Sequence, residues 1–204
     1  MLKKFASDAL GISDIGKIID PQDYDKTQSD DYVRHEDQEE IYFLIKTKMD
    51  EYCFTNLALI HVDGDSAVSS KRTLKRYSYH RHPISHVMLE TAGTVDLDVE
   101  IKFQMGNVPF DIDVDKKQLE RLKDLYKSLL HISEEVHENE KYLNMSAKSI
   151  DVAATVMNNS RPSESRMAED FSRINEYAFE WMKKNQETYV RKDFGDVFKK
   201  YILN

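Results

Sequence analysis

The sequence predicts an α+β protein: a small seven-stranded antiparallel β-barrel or sandwich closed by a C-terminal helix, followed by an α-helical hairpin tail. Three observations predict it. Between Glu39 and Val114, β-branched and aromatic residues recur with period two in short runs separated by polar or glycine-containing turns. After Val114 the apolar period becomes helical. From Ser133 onward no strand signal remains, and two apolar stripes at helical spacing follow each other.

The elements follow in order. Leu2, Phe5, Ala9 and Leu10 mark a short amphipathic helix, and a polar lead-in meanders to about Glu36. IYFLIK and EYCFTN flank Thr47 to Asp50 as a hairpin, LALIHV runs to the turn at Asp63-Gly64-Asp65, and TLKRYSY and ISHVMLE stand on either side of Pro83. TVDLDVEIKF and VPFDIDV are joined through Met105-Gly106-Asn107-Val108, where glycine at the first central position favours a type II′ turn. That turn sets the register. It places Val99, Ile101 and Phe103 opposite Val114, Ile112 and Phe110 on one apolar face, with Lys102 opposite Asp111 on the other.

Asp115 and Gln118 form a capping pair for the closing helix, whose face carries Leu119, Leu122, Tyr126, Leu129 and Leu130. Domain boundaries are expected at 1–132 for the β-domain with its lead-in and 133–204 for a helical oligomerisation region. In the tail, Leu143, Ala147, Ile150, Ala154 and Met157 form one stripe. Met167, Phe171, Ile174, Ala178 and Trp181 form a second after the break at Asn158 to Pro162. These ten residues are the candidate self-association surface. A last amphipathic piece with Phe194, Val197, Phe198, Tyr201 and Ile202 still seeks cover, so the tail is expected to carry assembly while the chain to about Ile132 stands alone.

Bulk properties exclude several classes. A net charge of -8 opposes wholesale binding to nucleic acid or anionic lipid, because both present phosphates to an acidic surface. Nucleic acid is therefore not an expected partner. The single Cys53 cannot form an intrachain disulfide, Ser7, Asp8, Ser13 and Asp14 interrupt any signal-peptide core, and no apolar run is long enough to span a bilayer. The expected location is the cytoplasm.

No chemistry-bearing motif is complete. The sequence contains no GxSxG, Walker loop or GxGxxG, and no HExxH or CxxC, so neither an enzyme nor a cofactor or metal site is expected. Asp111, Asp113 and Asp115 imitate the start of a calcium loop, but Lys116 replaces the turn glycine and Leu122 the bidentate glutamate. Glu100 faces Asp113 in the expected register, within an acidic pole that also holds Asp96 and Asp98. His80, Arg81, His82 and His86 form the densest histidine group and lack a fixed ligand set. Lys71, Arg72, Lys75, Arg76 and Arg81 are the candidate phosphate or lipid-headgroup patch, since arginine presents a fork matched to phosphate oxygens.

The stretches SDALGISDIGKIIDPQDYDK, DEYCFTNLALIHVDGDSAVSSKR, LKRYSY and LETAGTVDLDVEIKF together resemble the bacterial pleckstrin-homology (PH) family from about Ser7 to Leu130. Residues from about Ser133 to Leu203 are similar to the YvbH-like oligomerisation region that follows this domain in some members. The resemblance implies a PH-like fold, multimeric assembly through helices and no established activity. The first hairpin departs from eukaryotic PH relatives: it has only Lys46 and Lys48, beside Asp50 and Glu51, where those proteins often carry a basic cluster. The reading is a non-catalytic interaction module that associates with itself and an unidentified protein partner. The alternative is a peripheral protein that binds phospholipid headgroups through the basic patch.

Overall fold

A computed structural model describes residues 15–64, 71–91, 93, 98–159 and 167–203, the side chains of 156–159 and 167–168 excepted. The expected N-terminal helix lies outside the described residues. The chain divides into two compact units, Met1–Ser133 with Lys192–Asn204, and Glu134–Arg191.

The first unit contains two antiparallel sheets. Strands β1 (Lys17–Ile18), β2 (Ile41–Lys46), β3 (Glu51–Thr55), β4 (Ala58–Gly64) and β5 (Arg72–Ser78) form one in that spatial order, and β6 (Ile84–Glu90), β7 (Asp98–Met105) and β8 (Val108–Asp115) form the other. The seven expected strands are all present. The eighth, β1, is a two-residue strand that the polar lead-in concealed. Its neighbour Gly16 bridges to Val114, donating its N–H to the Asp113 carbonyl at 2.8 Å, so a corner of one sheet meets the edge of the other without closing a barrel. Gly16 has a steric role there, because a Cβ would fall 2.8 Å from that carbonyl oxygen.

The β7–β8 register agrees with the expected one at every pair, including Ile101 with Ile112, Phe103 with Phe110 and Glu100 with Asp113. Gly106 has φ +60°, whereas Asn107 is not in the positive region, as a type II′ turn requires. The faces sort as the alternation demands. Phe54 of one sheet meets Phe103 of the other with ring centroids 6.0 Å apart, and Phe103 stacks on Phe110 at 5.1 Å.

The opposite face of the five-stranded sheet is also covered. Leu44, Cys53 and Ile60, which are register partners, join Val33, and Ile19 and Tyr24 of the lead-in pack on them. Short 3₁₀ turns at Pro21–Lys26, Asp30–Tyr32 and His35–Asp37 carry the chain across that face. Burial on both sides explains why β2 reads as a continuous apolar run rather than a clean alternation.

A 3₁₀ turn, Lys116–Gln118, leads into α1 (Leu119–Asn159). Asp115 caps it by accepting the Lys117 N–H at 2.9 Å. Gln118 instead bonds both ways with Ile18, accepting its N–H at 2.7 Å and donating to its carbonyl at 3.1 Å. Leu122, Leu125, Leu129 and Ile132 are fully buried. The closing helix does not end at the boundary expected at 133: no Gly or Pro stands between Leu119 and Asn159, and the helix continues to Asn159.

Helix α2 (Met167–Tyr189) belongs to the second unit, and α3 (Gly195–Ile202) to the first. The division after Ser133 falls where the helical region was expected to begin, but the last segment, expected in that region, joins the first unit. Phe194 donates its N–H to the Asn56 carbonyl at 2.9 Å, and the Asn56 amide donates to Asp193 Oδ2 at 2.7 Å. Phe194 meets the ring of Tyr79 edge-on at 5.7 Å, and Phe198 stacks on Tyr42 at 5.5 Å. A Cβ on Gly195 would lie 2.9 Å from the Tyr42 hydroxyl, so only glycine lets the helix start so close to the sheet. The apolar face of the last segment is therefore covered by its own β-domain, not left for another subunit.

Candidate functional site

The second unit consists of the distal part of α1 and the whole of α2. Tyr142 stacks on Tyr189 at 5.4 Å, Trp181 donates its indole N–H to the Ser146 carbonyl at 3.4 Å, and Arg191 forms a bidentate pair with Glu135 at 2.6 and 2.7 Å. Of the expected stripe, Leu143, Ile150, Ala178 and Trp181 are half-buried, whereas Ala147, Ala154 and Ile174 are exposed and Phe171 is 71% exposed. The side chains of Met157 and Met167 lie outside the described residues.

Several apolar residues that the seven-residue spacing passed over are also exposed. Tyr177 is 66% exposed, Phe179 61% and Met145 65%, with Val152 and Met182 likewise open. At about 100° per residue, the apolar arc of α2 from Tyr177 through Trp181 and Phe171 to Phe179 spans roughly 200°, about twice what one partner helix covers. Its width, rather than its period, is the sequence signal that identifies these residues. A groove of about 340 Å³ runs between the helices, lined by Ile150, Ala153, Ala154, Ile174, Tyr177 and Ala178, with Arg173 at its border.

The basic candidates do not converge. Within β5 the alternation sends Arg72 and Arg76 to one face and Lys75 to the other. Arg76 donates to Glu39 Oε1 at 2.8 Å, and the wholly buried Glu39 carboxylate also accepts the Thr55 hydroxyl at 2.5 Å and the Arg34 N–H at 3.0 Å. Burial opposes ionisation of Glu39, but those bonds outweigh it and hold its pKa below the ordinary value. Lys75 pairs with Asp63, and its hydrogen bond lowers the Asp63 pKa. Lys71 and Arg81 are exposed outside the strand. Of the five candidate residues, Arg76 and Lys75 are thus engaged by acidic partners on another strand and in the lead-in.

At the acidic pole, Asp98, Glu100 and Asp113 bring carboxylate oxygens within 4.8 Å of one another. Lys102 answers them, reaching Glu100 at 2.8 Å and Glu90 at 3.0 Å. Of the histidine group, burial and then the cations of Arg81 and Lys192 lower the pKa of His80. Cys53 is fully buried, and burial pushes its thiol well above the ordinary range. No described helix is long and apolar enough to cross a membrane.

Residues 9–133 match the family described as "Bacterial PH domain", more than half of the chain. The chain belongs to the bacterial PH domain family. Residues 144–204 of this PH-domain protein match a second family, the "YvbH-like oligomerisation region". The chain is 61% identical to the "Uncharacterized protein YvbH" of Bacillus subtilis (strain 168) over 204 residues, covering 100% of both chains. It is also similar to a crystal structure of a PH-domain-containing bacterial protein from Exiguobacterium sibiricum 255-15, with 51% identity, a TM-score of 0.84, and coverage of 93% of this chain and 100% of that one. That likeness extends over nearly the whole chain. The oligomerisation match also includes α3, which here packs on the sandwich.

Proposed function

We infer that the protein is a non-catalytic scaffold in which the helical unit associates with further copies of itself and the PH-like sandwich serves as the module that other proteins meet. The observation that carries this is the apolar arc of α2, where Phe171, Tyr177 and Phe179 are each more than 60% exposed in a single chain. Large apolar side chains left open together on one helix mark an interface. The match of residues 144–204 to an oligomerisation region supports the same reading. The cytoplasm suits the lone, buried Cys53.

Trp181, the chain's single tryptophan, reports on this unit directly. At equal concentration its emission should lie to the blue in the wild type relative to a Phe179→Glu variant, because assembly removes the surrounding arc from water. Identical spectra, with identical sedimentation, would contradict the proposal.

A further inference from the structure

We propose that Asp50, His61 and Asp63 bind one divalent transition-metal ion at the end of the sandwich where the β2–β3 turn meets β4. The register brings them together. Glu51 pairs with Val62 and Tyr52 with His61, so Asp50 stands level with Asp63, and alternation puts all three side chains on one face.

Two of the three ligands are held in advance. Thr47 Oγ1 accepts the N–H groups of Met49 and Asp50 at 3.1 and 2.9 Å, and the Gly64 N–H donates to Asp50 Oδ1 at 3.2 Å. Gly64 permits this closure, since a Cβ there would meet the Met49 carbonyl at 2.6 Å. The His61 ring stacks on Tyr52 at 4.6 Å and meets Phe110 edge-on at 5.8 Å, which fixes its plane.

The decisive atom is His61 Nε2. It is shielded from solvent, makes no hydrogen bond and faces Asp50 Oδ1 at 3.4 Å. In the tautomer whose Nε2 carries no proton, the lone pair faces the carboxylate oxygen directly, and a metal ion between the two satisfies both. Ligands on a tetrahedral ion with bonds of about 2.0–2.1 Å stand about 3.3 Å apart, the separation this pair already has. One oxygen of Asp63 completes a set whose atoms all lie within 4.8 Å of one another.

The donor set selects the ion class. An imidazole nitrogen with two carboxylates suits zinc, cobalt or manganese, whereas calcium and magnesium prefer all-oxygen shells. Lys75 now supplies the positive charge at Asp63, and its side chain is 40% exposed, so it can move to water when an ion replaces it. The ion and Lys75 therefore compete for Asp63.

That competition makes the test specific. Zinc binding to the full chain is measured by calorimetry in a non-chelating buffer, with cobalt absorption as a second readout. The expected result is one zinc per chain, weakened at least about tenfold in Asp63→Asn and His61→Gln, a loss ordinary even for groups around a metal. Lys75→Met should strengthen binding, and a His80→Gln, His82→Gln double variant should leave it unchanged. Asp63 is partly exposed, so its variant keeps the test valid if loss of the His61 ring disturbs folding. No zinc binding by the wild type, affinity indifferent to Asp63→Asn, or protonation of His61 as the only event at the site would each overturn the proposal.

Discussion

The ring of Phe198, near the C-terminus, lies stacked on Tyr42 of β2, with centroids 5.5 Å apart and planes inclined by 15°. This contact makes the last dozen residues part of the β-domain. Phe198 and Phe194 are both fully buried, and Tyr79 touches both. Phe198→Ala should therefore cost about 3–5 kcal/mol in urea unfolding, as for other buried aromatics. A chain ending at Ser133 should fail to give a cooperative transition, because it would expose Tyr42, Tyr79 and Asn56 together. An unfolding midpoint unchanged by Phe198→Ala would show that the helix contributes nothing to the sandwich.

Ile101 and Ile112 are register partners, 0% and 2% exposed. Alanine at either should cost about 2–5 kcal/mol, and the double variant should cost less than the sum, because the two cavities merge. Denaturant midpoints of the four proteins measure this. Strict additivity would mean that the two side chains do not share a cavity wall.

The same hairpin shows how far the sequence could be read. Gly106 and the period-two pattern are local, and they determine the turn, register and buried face without reference to the rest of the chain. The fate of Phe194, Val197 and Phe198 was not legible in that way. An apolar helix face has the same pattern whether it meets another subunit or a sheet some 150 residues earlier, and the clue was Gly195, whose missing Cβ makes room for Tyr42. Similarly, five basic residues clustered in sequence look like a patch until Glu39, 37 positions before Arg76, claims one of them. In the helical unit the stripes were legible, but Tyr177 and Phe179 fell outside them because the arc is wider than a heptad seam.

Acid should weaken the β-domain through Glu39 and Glu51. Burial opposes ionisation of both, yet Arg76, Thr55 and the Arg34 N–H for one, and Lys46 and the Ser29 N–H for the other, lower their pKa values below the ordinary 4.5. A depressed folded pKa contributes stability above the unfolded value that disappears as pH falls through the folded one. Urea midpoints should thus decline from about pH 4.5 downward. Glu39→Gln should be less stable at neutral pH, since it leaves Arg76 without its anion, and should show a shallower acid decline, with Glu51 supplying the remainder. An acid slope equal to that of the wild type would remove Glu39 from this role.

Light scattering on the intact chain tests the assembly account most directly. The wild type should show a mass that is a multiple of 23.9 kDa, and a Phe171→Glu, Phe179→Glu variant should fall to a single chain while keeping its helical and sheet content. Charges placed on the exposed arc should have that effect because they would have to be desolvated in the interface. A wild type that is already a single chain, or a variant that keeps the wild-type multiple, would contradict the claim that the helical unit holds copies of this protein together.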